Sequence, residues 1–211
     1  MGSSQAVRQG PLKPPCEGSN PSSPATRENL ENIHAKVRTL PPQPNFMKKA
    51  LIIIDIQKGF INKLTNKIPL KIRNYIIKNK KYYKLIIFTK YMNRKDSNFV
   101  KNLSWKGFMS NKQTDIVDEL KGFIKNKNLY TKYTYSSFVN NKLLKYLKDN
   151  KIEQVELAGI DTENCVLTFA RDAFDRGFKV VVFKNLSASH SSSYLHKSAL
   201  AIIKANIGNV V

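Results

Sequence analysis

The chain has 211 residues, 41% of them hydrophobic, which fits one globular domain with tails and leaves no room for a second core of similar size. Its formal net charge is +21, but the lysines are spread through every segment among many Asn and Ile residues. Composition bias therefore explains the charge better than a nucleic-acid-binding surface. No apolar run approaches the roughly 18 to 20 residues that span a bilayer, and no signal peptide opens the chain, so we expect a cytoplasmic protein without a membrane segment.

Residues 1–46 differ in composition from the rest of the chain. They are rich in Pro, Ser and Asn and contain little apolar surface to bury. Met47 stands directly before an apolar run and has the position of a natural start. The composition therefore predicts a disordered or artificially added leader over 1–46 and one folded domain over 47–211. Cys16 falls in the leader, so the two cysteines make no disulfide framework and only Cys165 needs an explanation.

Strand and helix patterns alternate from Met47 onward. In chain order, the sequence predicts a buried strand over 50–55, a helix over 66–80, a strand over 84–92, a shorter helical stretch ending near 125, a strand over 128–132, a helix over 136–150, a strand over 154–160, a helix over 164–177, a strand over 179–184, a helix over 193–208 and a last short strand over 209–211. This alternation is typical of a three-layer α/β fold, in which helices cover both faces of a doubly wound parallel sheet of about six strands.

Three residues with reactive side chains stand just after predicted strands. Asp55 ends the first strand, Lys132 ends the third, and Cys165 follows the fourth at a predicted helix start. In open parallel sheets, ligands bind beyond the carboxyl ends of the strands, near the point where the strand order reverses. These positions therefore predict a functional site at that edge of the sheet.

The position of Cys165 favours a nucleophile. A helix N-terminus and a nearby cation such as Lys132 both stabilise a thiolate, and Asp55 can take the thiol proton and return it to a leaving group. The N–H of Cys165, with another from the preceding turn, can hold an oxyanion. Each residue also has a structural alternative: a buried cysteine that packs as a small apolar group, an aspartate that caps a turn or binds a metal, and a solvated lysine.

Nucleotide-binding and serine-hydrolase motifs are absent. The segment DIQKGFIN after the first strand fits neither the dinucleotide fingerprint nor the P-loop. The run SASHSSSYLH (187–196) contains no G-x-S-x-G elbow and fits a polar loop with a helix cap.

Three blocks of the sequence carry a family resemblance. ALIIIDIQKGFIN (50–62) has an apolar strand, Asp, Gln two residues later and then Phe; KYTYSSF (132–138) has Lys with a Ser-Phe pair; LAGIDTENCVLTFARDAFDRGFKVVV (157–182) has Thr three residues before Cys-Val. In order and placement they resemble the isochorismatase-like cysteine hydrolases, which include nicotinamidases, N-carbamoylsarcosine amidase and isochorismatase. The resemblance covers nearly all of residues 48–211.

The resemblance implies a Cys/Asp/Lys triad at Cys165, Asp55 and Lys132 and a parallel sheet in the order 3-2-1-4-5-6. It also implies a cis peptide at Ile160–Asp161, with the backbone N–H groups of Asp161 and Cys165 as the oxyanion hole. The implied reaction is hydrolysis of a C–N bond in a small amide or ureide through a thioester on Cys165. Since relatives are often dimers or tetramers, a homo-oligomer is also implied.

One departure from the family bears on the substrate. Metal-binding nicotinamidases carry Asp-x-His and a further His after the second strand, whereas TKYMNRKDSNFVKNLSWKGF (89–108) has no histidine. The sequence therefore predicts no metal and no other cofactor. Aromatic residues at Phe60, Trp105, Tyr133 and Phe138 are candidates for the wall of a substrate pocket, with core packing as the alternative for each.

Three further functions stay open at this point. One is a non-catalytic scaffold or binding protein that keeps an unused triad on the same fold. Another is an isochorismatase-type vinyl-ether hydrolase, although isochorismatase itself does not depend on the family cysteine. The last is a nucleic-acid binder driven by net charge, which the scattered lysines make the weakest of the three.

Overall fold

The computed structural model describes residues 47–139 and 141–211. Within these residues, parallel strands form one sheet in the spatial order β3-β2-β1-β4-β5-β6. The strands are β1 (Lys49–Ile54), β2 (Leu85–Tyr91), β3 (Leu129–Lys132), β4 (Gln154–Ile160), β5 (Lys179–Ala188) and β6 (Asn209–Val210). The predicted strand order is confirmed, and the order reverses between β1 and β4.

Helices cover both faces of the sheet, as the alternating pattern predicted. They are α1 (Ile68–Asn79), α2 (Asn98–Leu103), α3 (Asn111–Thr114), α4 (Asp118–Lys121), α5 (Asn141–Asp149), α6 (Leu167–Asp175) and α7 (Ser193–Asn206). The fold is therefore the predicted three-layer α/β arrangement. No helix of the described residues is long and apolar enough to span a membrane.

Strand β1 lies at the centre of both cores. Ala50, Ile52 and Ile54 belong to the core that α5, α6 and α7 cover, and Leu51 and Ile53 belong to the core under α1 and α4. None of the five is more than 1% exposed. A strand buried on both faces explains why the sequence shows a continuous apolar run rather than alternation.

Gly159 lets β4 approach β1 closely at the end that carries the site. Its φ is +149°, and a Cβ atom there would lie 2.2 Å from the carbonyl oxygen of Ile54. Only glycine fits such a contact. The approach places the end of β4 beside Asp55, directly after β1.

Two helices begin differently from the prediction. The helix predicted over 136–150 is observed as α5 and begins at Asn141. The Ser136 side chain accepts a hydrogen bond from the Phe138 N–H and donates one to Asp172, and these two bonds hold the preceding segment as a loop. The helix predicted over 164–177 opens as a π-helical turn, Thr162–Val166, and continues as α6.

Strand β5 is longer than the predicted 179–184. After a register irregularity, Ser187 and Ala188 pair with Gly159 and Ile160 of β4. This extension brings the following residues to the edge where the candidate site lies. The predicted leader, 1–46, falls outside the described residues and stays a prediction.

Candidate active site

The structure brings Asp55, Lys132 and Cys165 together at the carboxyl edge of the sheet. Lys132 Nζ lies 2.8 Å from Asp55 Oδ2 and 3.1 Å from Cys165 Sγ. All three residues are buried, with at most 6% of their surface exposed. One ammonium group therefore contacts both the carboxylate and the sulfur.

Asp55 is held by its backbone and by Thr89. Its φ is +52°, a left-handed conformation that turns the chain sharply after β1. The Thr89 hydroxyl donates to Asp55 Oδ1 at 2.6 Å, and the Asp55 N–H donates to the same hydroxyl at 3.2 Å. These contacts fix one carboxylate oxygen and leave the other to Lys132.

Lys132 is anchored by the loop that follows β3. Its Nζ also donates to the carbonyl oxygens of Thr134, at 3.0 Å, and Tyr135, at 3.2 Å. Burial lowers the pKa of Lys132, but the negative charge of Asp55 and the hydrogen bonds to Asp55 and Cys165 outweigh it and raise the pKa above its ordinary value. The side chain is therefore a fixed cation.

Cys165 is presented by the π-helical turn at the end of β4. The Ile160–Asp161 peptide bond is cis, as the resemblance implied. The Asp161 carbonyl oxygen accepts from the Val166 N–H at 3.0 Å and from the Asn164 N–H at 3.2 Å. The turn thus places the sulfur two residues before the start of α6.

The expectation that the site lowers the pKa of Cys165 is wrong for the free protein. Burial raises the thiol pKa most, and the Asp55 carboxylate raises it further, while Lys132 lowers it; the result is a pKa of about 12. Burial disfavours the charged sulfur more strongly than one cation favours it. The buried site therefore favours the thiol form of Cys165, next to a carboxylate that can accept its proton.

A cavity of about 300 Å³ opens onto Cys165. Its lining residues are Phe60, Tyr91, Phe99, Leu103, Trp105, Tyr135, Asp161, Asn164, Cys165 and His190. The aromatic rings touch one another: the Tyr91 and Trp105 rings stack with centroids 5.8 Å apart, and Phe99 contacts Tyr135 edge-on at 4.9 Å. The cavity therefore offers flat, apolar walls around the sulfur.

Of the residues predicted to line a pocket, Phe60 and Trp105 lie in this cavity, and two others lie elsewhere. Tyr133 lines a neighbouring, more open cavity, where the Arg94 guanidinium sits 3.9 Å from its ring centroid. Phe138 is a correction: it is 2% exposed and packs on Phe169 in the core, with ring centroids 4.8 Å apart. The chain direction in the loop after β3 turns Tyr135, not Tyr133, toward Cys165.

Several wall residues were missed by the sequence analysis. They are Tyr91, Phe99, Leu103, Tyr135, Asn164 and His190. Tyr91 ends β2 at the same edge as Asp55, so the strand-end rule could have found it. Gln57, two residues after Asp55, fixes that strand end, because its side chain donates to the Tyr91 carbonyl oxygen and accepts from the Tyr91 N–H, each at 2.8 Å.

The loop after β2 does not have the donor set of a metal site. Asn93 uses its side chain within the loop, donating to the carbonyl oxygens of Trp105 and Gly107 and accepting from the Ser97 hydroxyl. Asp96 is exposed. Across the described residues, no three His, Cys, Asp or Glu side chains lie close enough to hold a metal ion. A metal site of the kind that the sequence analysis described for metal-binding nicotinamidases therefore does not fit these side chains.

Comparison with protein families gives a match along the whole described sheet. The model described as Isochorismatase domain matches residues 49–211. The match covers every strand of the sheet as well as Asp55, Lys132 and Cys165.

Individual proteins are also similar to this chain in sequence or in structure. The uncharacterized isochorismatase family protein PncA of Bacillus subtilis (strain 168) is 38% identical over 77 residues, 36% of this chain and 42% of that protein, so less than half of that relative is spanned. The structure of nicotinamidase PncA from Bacillus subtilis has a TM-score of 0.68 and 26% identity, covering 78% of this chain and 99% of that one. N-carbamoylsarcosine amidase from Thermoplasma acidophilum shares the fold, with a TM-score of 0.65 and 21% identity over 78% of this chain and 95% of that one.

Proposed function

Since this chain belongs to the isochorismatase family of hydrolases, we propose that it is a metal-independent cysteine hydrolase that cleaves a C–N bond of a small amide or ureide. The observation that carries this proposal is the position of Lys132 Nζ, within 3.1 Å of both Asp55 and Cys165 in a buried site. A cysteine, a carboxylate and a fixed cation at one point are the parts that acyl transfer to sulfur needs.

The cavity restricts the substrate by size and shape. A volume of about 300 Å³ lies at the small end of ligand pockets. Aromatic faces from Phe60, Trp105 and Tyr135 favour a flat or apolar acyl group, which packs well against them. The loop after β2 lacks the side chains to bind a metal that could anchor a ring nitrogen. We therefore expect the aromatic walls to orient the substrate.

In the first step, Cys165 Sγ attacks the carbonyl carbon. The thiol proton passes to Asp55, a C–S bond forms, and Lys132 stabilises the negative charge on sulfur while it develops. Proton loss in concert with attack suits a thiol whose resting pKa is about 12. The backbone N–H groups of Asp161 and Cys165 are the proposed donors to the oxyanion.

The second step releases the nitrogen product. Asp55 returns its proton to the leaving nitrogen, the C–N bond breaks, and ammonia or an amine departs. The acyl group remains on Cys165 as a thioester, which water then hydrolyses to the acid. Asp55 therefore serves first as base and then as acid. Its contacts with Thr89 and Lys132 support both roles because they hold the carboxylate in one orientation.

The buried ion pair is the main argument against a non-catalytic scaffold. Burying a charge pair such as Asp55–Lys132 often gives no net stability compared with apolar residues of similar volume. A function at the site explains why the pair is there. A vinyl-ether hydrolase is less well supported, because that reaction gives the assembled cysteine no role.

Other properties stay predictions. They are a homo-oligomeric state, a cytoplasmic location, a small-molecule substrate without a membrane or nucleic-acid partner, and the absence of a cofactor. Size-exclusion chromatography with light scattering measures the first.

The test is a panel of small amides and ureides, including nicotinamide, benzamide and N-carbamoylglycine, assayed for ammonia release. We expect the wild-type chain to turn over at least one compound of the panel. We expect Cys165→Ala to turn over none of them. Release that persists in Cys165→Ala would remove the thioester mechanism.

A further inference from the structure

His190 lies in the wall of the cavity beside Cys165 and is paired with Asp161. Asp161 Oδ2 is 2.7 Å from His190 Nδ1, and Asp161 Oδ1 accepts from the His190 N–H at 2.8 Å. Both carboxylate oxygens thus hold a single histidine. The Asp161 side chain is 4% exposed and the His190 side chain 37%, so the carboxylate is buried behind an imidazole that reaches open space.

This pairing fixes the tautomer of His190. With Nδ1–H donated to the Asp161 carboxylate, the neutral ring carries its lone pair on Nε2. Among the described residues, Nε2 has no hydrogen-bond partner. The ring also packs edge-on against Phe60, with the ring centroids 5.3 Å apart. The backbone of His190 is held as well, because its carbonyl oxygen accepts from the Asn62 side chain at 2.6 Å.

The position of the triad leaves room for a second base. Neither Asp55 nor Lys132 lines the cavity; of the three triad residues only Cys165 does. Asp55 is fully buried, and its carboxylate is already bound by Lys132 and Thr89. The water that hydrolyses a thioester has to approach from the cavity side, where His190 supplies a free ring nitrogen.

We propose that Asp161 and His190 form a second acid–base pair that activates the water which hydrolyses the thioester on Cys165. The inference rests on the proposed function, since it concerns the second half of that reaction. Histidine is an effective general base when a carboxylate orients its imidazole ring. The other ring nitrogen then takes a proton from the attacking nucleophile.

The step balances as follows. His190 Nε2 takes a proton from water as the water oxygen bonds to the acyl carbon. The C–S bond then breaks, its electron pair stays on Cys165 Sγ, and the proton passes from Nε2 to that sulfur. The products are the free acid, the thiol of Cys165 and neutral His190, with Nδ1–H directed at Asp161 throughout.

The charged groups near His190 set its pH response. Its hydrogen bond to Asp161 raises its pKa above 6.5, partial burial opposes this, and the charges of Asp161 and Glu163 add to the rise. The groups that pack against it from the loop after β1, Phe60 and Asn62, are uncharged. Because the base must be neutral, the thioester step should speed up as pH rises through this raised pKa and then level off.

The two half-reactions can be separated with 4-nitrophenyl acetate, a small activated ester. Transfer of its acetyl group to Cys165 releases 4-nitrophenolate in a burst, and later release follows thioester hydrolysis. In His190→Gln we expect an unchanged burst rate, a steady rate lower by about 10²-fold, the general-base scale, and an acetyl thioester on Cys165 detectable by intact-protein mass. The pH inflection of the steady rate should disappear as well.

A matched control is His196→Gln. His196 is also partly buried and bonds the Thr162 hydroxyl at 2.8 Å, but it does not line the cavity, so both phases should match the wild type. Addition of imidazole to His190→Ala should restore the steady rate, which a purely structural role would not allow. Burst amplitude counts folded active sites, so a folding loss would reduce the amplitude rather than the steady rate per site.

The outcomes separate this inference from the function on which it rests. A wild-type steady rate in His190→Gln, or a burst slowed as much as the steady phase, overturns the inference and leaves the cysteine mechanism standing. Absence of a burst in the wild-type chain, or a burst that survives in Cys165→Ala, overturns the proposed function itself.

Discussion

Lys132 Nζ lies 2.8 Å from Asp55 Oδ2, and neither side chain is more than 5% exposed. This ion pair is the point at which the fold and the proposed chemistry depend on each other. The pair joins the ends of β1 and β3, which are separated in the sheet by β2, and it places a charged ammonium beside the sulfur at the end of β4. Changes to either member should therefore affect both activity and stability.

The first prediction concerns activity at this pair. Asp55→Asn and Lys132→Ala should each lower the rate by at least about 10²-fold, because Asp55 takes the proton lost by Cys165 and Lys132 stabilises the negative charge left on the sulfur. The losses should not add in the double variant, since the groups act as one unit. The kcat/KM of both single variants and the double variant measures this, and strictly additive losses would show that the two residues act separately.

The second prediction concerns the stability of the same pair. Lys132→Met should lower the free energy of unfolding by about 3–5 kcal/mol, because it leaves the Asp55 carboxylate buried without a counter-charge. Adding Asp55→Asn should recover part of that loss by removing the charge. Denaturant unfolding of both variants checks this, with Lys145→Met, whose partner Asp149 is an exposed i, i+4 neighbour, as a control that should change little. A double variant less stable than Lys132→Met would contradict the argument.

The third prediction separates the pocket wall from the core. Phe138→Ala should cost about 3–5 kcal/mol of stability, the usual loss for a buried aromatic, because Phe138 packs on Phe169 away from the cavity. Trp105→Ala should instead raise KM, since Trp105 forms part of the cavity wall. Unfolding and steady-state kinetics on both variants measure this. A KM change in Phe138→Ala without a stability loss would place that ring in the pocket.

The sequence predicted that Asp55, Lys132 and Cys165 lie at one edge of the sheet because it defines the strand ends well, whereas their assignment as a triad is what the family resemblance implies. Apolar runs located β1, β3 and β4, and in a parallel sheet their carboxyl ends meet at one edge, so Asp55, Lys132 and Cys165 followed from position. The residues of the cavity wall were harder to predict. Tyr133 and Tyr135 lie in one irregular loop, and no periodic pattern in the sequence shows which of them faces the cavity. His190 was hidden because β5 extends through polar residues that pair with β4 only in the folded sheet.

The pKa of Cys165 was mispredicted for a related reason. A helix start and a neighbouring lysine are visible in the sequence, and both lower a thiol pKa. The burial of the sulfur and the approach of the Asp55 carboxylate are tertiary properties, and they dominate.

The fourth prediction is that activity needs no metal. Asn93 is committed to hydrogen bonds within its own loop, and Asp96 supplies a single exposed carboxylate. A transition-metal site needs several convergent ligands. Dialysis against a chelator should therefore leave the rate unchanged, and elemental analysis should find no stoichiometric metal. Loss of activity that zinc, iron or manganese restores would show that this loop, or another part of the chain, does bind a metal.

The last prediction follows from the thiol pKa of about 12. Iodoacetamide reacts with the thiolate, so Cys165 should be alkylated slowly at neutral pH and faster as the solution becomes alkaline. Because the Asp55 carboxylate raises this pKa, Asp55→Asn should lower it and shift the labelling profile toward lower pH. Lys132→Met should shift it the other way, since Lys132 favours the thiolate.

Peptide mass spectrometry after timed labelling measures both shifts. The peptide that contains Cys16 serves as an internal reference for reagent exposure, and Cys165→Ala confirms the assignment of the labelled site. Opposite shifts in the two variants would show that the resting sulfur is a thiol poised between a base and a cation. Rapid labelling of the wild-type sulfur at neutral pH, unchanged in Asp55→Asn, would instead mean a preformed thiolate, and the proposed proton transfer to Asp55 during attack would have no role.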